Sequence, residues 1–319
     1  MTILITAPYS EEGRQMLSQV GDVVYREWKQ HGRAYDAEEL NDLLDRSGAD
    51  ALITEHDQVT AAVIHAHPRL SFIGVCRGTP SNVDLDAARE HGIPVFHTPA
   101  RNAQAVAEMF LANVISLMRK TIPSREWLTH RHWNDGAHTS YLEFKGAELA
   151  GKTIGMVGFG AVAQRIAGMV KGFPCTIQYY DPYVAPPDAG YRRTTLEAVF
   201  ATSDVVSIHL PVTPETMGMI DKRLIGRMQP HAIFVNTARA SVVNRDDLID
   251  AIENHRIGGA VLDVFNAEPP DEKDYRLIDH PLVLATPHTA GATYEVEDHH
   301  VDILNKKILD WAHGSVSHH

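Results

Sequence analysis

Three polar residues in the second half of the chain each follow a short apolar run: Arg239 in "AIFVNTARA", Glu268 in "GAVLDVFNAEPP" and His288 in "LVLATPHTAG". A guanidinium directly after a core strand is costly to desolvate unless an anion meets it. A carboxylate and an imidazole supply the means to hold and move a proton. In open α/β sheets ligands gather beyond the C-terminal ends of strands, so these residues point to one site despite their separation in sequence. Each alone has a plainer explanation: a helix cap or surface pair for Arg239, a solvated proline turn for Glu268, a partner for loop carbonyls in His288.

A second constellation stands upstream. "VGFGAVAQRIAGMVKGF" presents Gly158, Gly160 and Ala163 as G-x-G-x-x-A between an apolar run and a helical pattern, the setting that this dinucleotide fingerprint requires. Gly158 makes the tight turn, Gly160 lets the backbone approach a diphosphate, and Ala163 lets the helix lie close to the sheet. The amides at the helix N-terminus would bind the diphosphate. Asp181, about twenty residues on, is placed to accept hydrogen bonds from a ribose and to repel a 2′-phosphate, which favours NAD over NADP. Arg192 and Arg193 keep NADP open as the lesser alternative.

Short apolar runs alternate with amphipathic segments, the pattern of βαβ units around parallel sheets. Strands are expected over 2–7, 22–28, 51–55, 70–75 and 94–98, with a helix over 36–48 capped by Asp36 and stopped by Gly48. A long helix over 103–121 leads to an irregular stretch carrying Trp127 and Trp133. A second series starts at 152–160 and continues over 176–181, 205–210, 232–237, 259–265 and 282–286, its unbroken apolar character fitting strands covered on both faces. A final helical segment over 293–313 is surplus to that series.

With 319 residues and 44% hydrophobic content, the chain can build two α/β domains. A net charge of −12 argues against a nucleic-acid surface. Two cysteines, Cys76 and Cys175, make no disulfide framework, so a reducing cytoplasm is expected. The opening apolar run is too short for a secretory signal, and the segment 105–118, broken by Glu108 and Asn113, is too short to span a bilayer. No metal site is expected, because the adjacent His299 and His300 lack the spacing of two ligands on one helix face.

With these motifs assembled, the chain resembles the D-isomer-specific 2-hydroxyacid dehydrogenases. The resemblance runs from about residue 70 to 295 and is carried by "NVDLDAAREHGIPVFHTPARNAQAVAE", the glycine loop with "YYDPY", "HLPVTPET", "NTAR", "GGAVLDVFNAEP" and "TPHTAG". It implies two Rossmann-like or flavodoxin-like parallel-sheet domains flanking an active-site cleft. The substrate domain would comprise residues 1–98 plus 292–319 and the dinucleotide-binding domain residues 99–291. It also implies hydride transfer between NAD(H) and C2 of a D-2-hydroxy or 2-keto acid, with Arg239, Glu268 and His288 as the active site. Asp263 would help hold the nicotinamide carboxamide, with further cofactor contacts from Ala161, Val162, Pro211, Thr216, Thr237 and Ala238. A homodimer built on the nucleotide domain is implied as well.

The chain departs from the family pattern at "GVCRGTPSNVD", where Arg77 stands in a position often held by glycine and Ser81 where Asp is common. Arg77 and Gly78 are expected to meet the substrate, Arg77 as a second cationic contact for a larger or more anionic acid. The alternative pairs Arg77 with Asp84 or Glu108. Ala240 and Asn244 replace a common glycine and a common Asp, and Asn caps a helix comparably. Two other functions remain open: a dinucleotide-sensing corepressor-like binding protein, and an oxidoreductase of the same fold acting on another small anion such as phosphite.

Overall fold

The computed structural model describes residues 1–133, 137–185 and 190–314; residues 315–319 at the expected C-terminal boundary lie outside them. The chain divides into two compact units, Met1–Asn102 with Ala292–His319, and Ala103–Gly291.

The first unit contains β1 (Thr2–Ile5), β2 (Asp22–Tyr25), β3 (Ala51–Thr54), β4 (Ile73–Val75) and β5 (Val95–His97). They form a parallel sheet in the order β2-β1-β3-β4-β5. Alternation along each strand sends Leu4, Leu52 and Ile73 to one face, against Leu40 and Val63. Ile3, Ile5 and Ile53 go to the other face, against Leu304 and Ile308. Those last two belong to the helix Glu295–Ala312, so the surplus C-terminal segment completes the first unit's core. The helix Ala37–Ser47 starts with Asp36 and Glu39 in a reciprocal capping box and stops at Gly48 with φ +58°.

The second unit contains β6 (Thr153–Val157), β7 (Thr176–Tyr180), β8 (Tyr191–Arg193), β9 (Val205–Ile208), β10 (Ile233–Asn236), β11 (Gly259–Leu262) and β12 (Val283–Ala285). Their order is β12-β11-β10-β9-β6-β7-β8, with every neighbouring pair parallel. The order reverses around β6, which makes the edge beyond β6 and β9 a topological switch point, where ligands of such sheets bind.

Two features differ from the sequence reading. β8 carries Arg192 and Arg193 in an edge strand of three residues, too short and too polar to show strand periodicity. The stretch around Trp127 is helical, not irregular: helices span Thr121–Thr129 and Ala137–Glu143. The first has no buried residue, so no apolar stripe announces it. Pro123 lies in its first turn, where the missing N–H costs nothing.

Candidate active site

Arg239, Glu268 and His288 follow β10, β11 and β12, which are consecutive in the sheet. Strand order therefore brings three distant sequence segments to neighbouring positions at one edge. His288 Nδ1 lies 3.0 and 2.9 Å from the two carboxylate oxygens of Glu268. A carboxylate only accepts, so Nδ1 carries the proton and Nε2 is the nitrogen left for chemistry. The backbone of His288 has φ +53°, a region that side-chain-bearing residues seldom adopt and that clusters at functional sites.

Arg239 is exposed, and its Nη1 donates to the carbonyl of Ala238 at 2.6 Å. The desolvation cost anticipated from its place after a buried strand is thus not incurred; the guanidinium reaches out of the sheet into solvent.

A buried polar side chain holds each of the three segments. Asn236 donates to the carbonyl of Arg239 at 2.9 Å and accepts from the amide of Ala238 at 3.0 Å. Asp263, 1% exposed, accepts from the Thr286 hydroxyl at 2.5 Å and from the amides of Thr289 and Ala290 at 2.9 Å. Its carboxylate thus clamps the loop on both sides of His288. Asp274, also 1% exposed, accepts from the amide of Ala267 at 3.1 Å, next to Glu268, and pairs with Arg245 at 3.0 Å. Arg245 also bonds Asp271 at 2.7 Å. Sequence reading missed Asn236, Arg245 and Asp274. The spacing of Asp271 and Asp274 as a capping box was the available signal. A pocket of about 440 Å³ opens beside the pair, lined by Glu268 and His288 and by apolar groups including Phe265, Tyr275 and Ile278.

The glycine loop follows β6, and Gly160 caps the helix Ala161–Met169 with no side chain closing that end. Gly158 has φ +88°, and a Cβ there would stand 2.7 Å from the carbonyl oxygen of His209. A Cβ at Gly160 would meet nothing within 4 Å, so this face of the loop is open. Ala161 is exposed, Val162 half-buried and Ala163 buried against the sheet. Thr237 Oγ1 and His209 Nε2, just past β10 and β9, are buried with no partner among the described residues. Burial lowers the His209 pKa to about 4, leaving a neutral ring. An open glycine turn, an uncapped helix start and unpaired buried polar atoms fit a dinucleotide.

Asp181 closes β7 and is 9% exposed. It accepts from the amides of Phe159 at 2.7 Å, Tyr183 at 2.8 Å and Val184 at 2.9 Å. Burial pushes its pKa up, but the three amides and Arg193 outweigh that, and the net shift is down. Three bonds occupy three of the four acceptor positions of a carboxylate, which leaves one for a ribose hydroxyl. Thr216 donates its hydroxyl to the carbonyl of Pro211 at 2.7 Å, so these two close their own turn.

On the first unit, Arg77 Nη1 meets His56 Nδ1 at 2.9 Å and the carbonyl of Gly78 faces His97 Nδ1 at 2.8 Å. Asp84 caps its helix by accepting from the Ala87 amide, and Glu108 accepts from Gln104. Cys76 is fully buried, and burial drives its thiol pKa well up, as suits a packing residue.

Residues 111–290 match the family model described as "D-isomer specific 2-hydroxyacid dehydrogenase, NAD binding domain". YoaD of Bacillus subtilis (strain 168), a 2-hydroxyacid dehydrogenase by name, is 57% identical over 312 residues, 98% of this chain and 91% of that protein. D-3-phosphoglycerate dehydrogenase of the same organism is 33% identical over 266 residues, 82% of this chain; the match spans only 49% of that longer enzyme. Among solved structures, the TT0316 protein from Thermus thermophilus superposes with a TM-score of 0.81 at 28% identity, covering 98% of this chain and 97% of its own.

Proposed function

Because the chain belongs to the D-isomer specific 2-hydroxyacid dehydrogenase family, we propose that it interconverts a small D-2-hydroxy acid and its 2-keto acid with a nicotinamide dinucleotide. The observation that carries this reading is the Glu268–His288 pair, which engages Nδ1 and leaves Nε2 without a partner among the described residues, on the sheet edge that also bears Arg239. We assign the seven-stranded unit to the cofactor and the five-stranded unit to the substrate.

When bound, the nicotinamide supplies or accepts the hydride at substrate C2. Arg239 grips the substrate carboxylate and polarises the carbonyl oxygen through charge-assisted N–H donors. His288 Nε2 gives a proton to the developing alkoxide in reduction and withdraws it in oxidation. Glu268 keeps the ring turned and its tautomer fixed, and Asp263 keeps the loop in the conformation that presents it. Three bonds from its own loop occupy three of the four acceptor positions of Asp263, and the fourth is the one it offers a carboxamide. Asp181 favours NAD over NADP, since a 2′-phosphate would face a buried anion; Arg193, bonded to the Pro182 carbonyl at 3.0 Å, lies beside it as the cation an NADP enzyme would use. Arg77 supplies the further cationic contact for a larger or doubly anionic acid.

A homodimer accompanies this reading. Trp133, Tyr141 and Leu142, in and beside the helix Ala137–Glu143, are exposed apolar side chains of the kind that mark interfaces.

Rates measured with glyoxylate, hydroxypyruvate, pyruvate, 3-phosphohydroxypyruvate and sugar-derived keto acids, each with NADH and NADPH, test the reading. Turnover of at least one keto acid is expected, with kcat falling by roughly 10²–10⁴-fold in His288→Gln. NADH binding without turnover of any acid would mark a sensing protein instead, and oxidation of phosphite alone would mark the other oxidoreductase.

A further inference from the structure

We infer a divalent transition-metal site on the first unit, built from His65, Glu90 and His91. His65 lies in the last turn of the helix Ala61–Ala66, Glu90 ends the helix Leu85–Glu90, and His91 is its C-cap. Two separate helices thus present imidazoles to each other. His65 Nδ1 and His91 Nε2 are 2.9 Å apart, and the rings cross at 74° with centroids 5.1 Å apart. One ligand atom from each of the three residues lies within 4.8 Å of the others, and all three side chains are exposed.

Between two neutral imidazoles a single proton serves both facing nitrogens, because a second would set two N–H donors against each other. A metal replaces that proton. Zinc–nitrogen bonds of about 2.0–2.1 Å at a tetrahedral angle separate two nitrogens by about 3.3 Å, so the exposed rings need part by only a few tenths of an ångström. Two imidazoles and a carboxylate form a donor set suited to Zn²⁺, Ni²⁺ or Cu²⁺, with water completing the sphere. The ion would staple the two helices and stabilise the first unit through binding to the folded state alone. The expectation of no metal site rested on His299 and His300. Those rings are engaged elsewhere, His299 Nδ1 at the carbonyl of Arg101 and His300 Nε2 at that of Pro8.

Calorimetric titration of the chelator-stripped full chain with ZnCl₂ near neutral pH tests the site. One ion per chain and a raised Tm are expected. His65→Gln and His91→Gln should each weaken binding about tenfold or more and abolish the Tm shift. Replacing His318 and His319 by Ala should leave the isotherm intact. If either histidine variant fails to fold, Glu90→Ala provides the same comparison. Absence of binding, an isotherm unchanged in the ligand variants, or binding lost with the terminal histidines overturns the proposal.

Discussion

At the C-terminal end of β3 the first unit closes its sheet with a fully buried carboxylate. Asp57 accepts from the hydroxyls of Thr6 and Thr54 at 2.5 and 2.7 Å and from the amide of Tyr35 at 2.8 Å. Past β6, at the same edge of the second sheet, the chain instead makes a glycine turn with an open face, and Thr237 and His209 keep buried polar atoms unpaired nearby. Both sheets are parallel and similarly packed. Unpartnered buried oxygens occur in both, Thr98 Oγ1 past β5 among them; what separates the end of β3 from the end of β6 is that a carboxylate fills the first and a glycine turn leaves the second open to a ligand.

Removal of the Asp57 plug has the largest expected effect. Asp57→Ala strands the Thr54 hydroxyl and the Tyr35 amide, while Thr6 keeps the Ile53 carbonyl as an acceptor, and should destabilise the first unit by about 2–4 kcal/mol, read from denaturant unfolding, while NADH affinity of the folded fraction stays unchanged. A loss of NADH binding at full stability would show that Asp57 does more than close the sheet.

The next effect concerns two histidines with buried ring nitrogens, His300 fully buried and His209 half-buried. His300 has both nitrogens bonded, to Arg101 at 2.9 Å and Pro8 at 2.7 Å, whereas His209 has an unpaired Nε2. The folded pKa of His209 is about 4 against an ordinary 6.5. The unfolded chain therefore takes up a proton below about 6.5 that the folded chain refuses until about 4. Its contribution is complete above the higher value and lost as pH falls through that window, by about 3 kcal/mol in all. Urea midpoints should decline on acidification through this range, with a shallower decline in His209→Gln; equal slopes would remove His209 as the cause.

Glycines sharpen the contrast. Gly158→Ala drives a Cβ to 2.7 Å from the His209 carbonyl, and NADH affinity by fluorescence titration should fall about a hundredfold. Gly48→Ala, also at positive φ but with nothing within 4 Å, should cost only about 1 kcal/mol of stability and leave the cofactor site alone. A smaller effect than at Gly158 falls on the brace behind Glu268. Arg245→Met should lower kcat about tenfold with KM nearly constant, because it loosens the segment that orients His288 without touching substrate. A change confined to KM would contradict that placement.

Much of this was visible in the residue pattern. The strand cores, the glycine loop, the Asp36 cap and Asn244, which accepts from the Asp247 amide at 3.2 Å, follow from local chemistry, and local chemistry is written in neighbouring residues. β8 and the helix Thr121–Thr129 escaped because neither buries an apolar stripe. The Arg245–Asp274 pair escaped because an ion pair between separate helices has no short-range signature; only the capping spacing of Asp271 and Asp274 was written locally.

The residue order by itself determined which groups could act: an arginine, a glutamate and a histidine each just beyond a strand, and a glycine turn shaped for a dinucleotide. Tertiary structure alone decided that β10, β11 and β12 lie side by side, that His288 turns Nδ1 to Glu268, and that Asp263 spends its carboxylate on the His288 loop. Side-chain types and short spacings are local properties, whereas strand order and the sharing of a buried carboxylate's acceptor positions are settled only when the whole sheet packs.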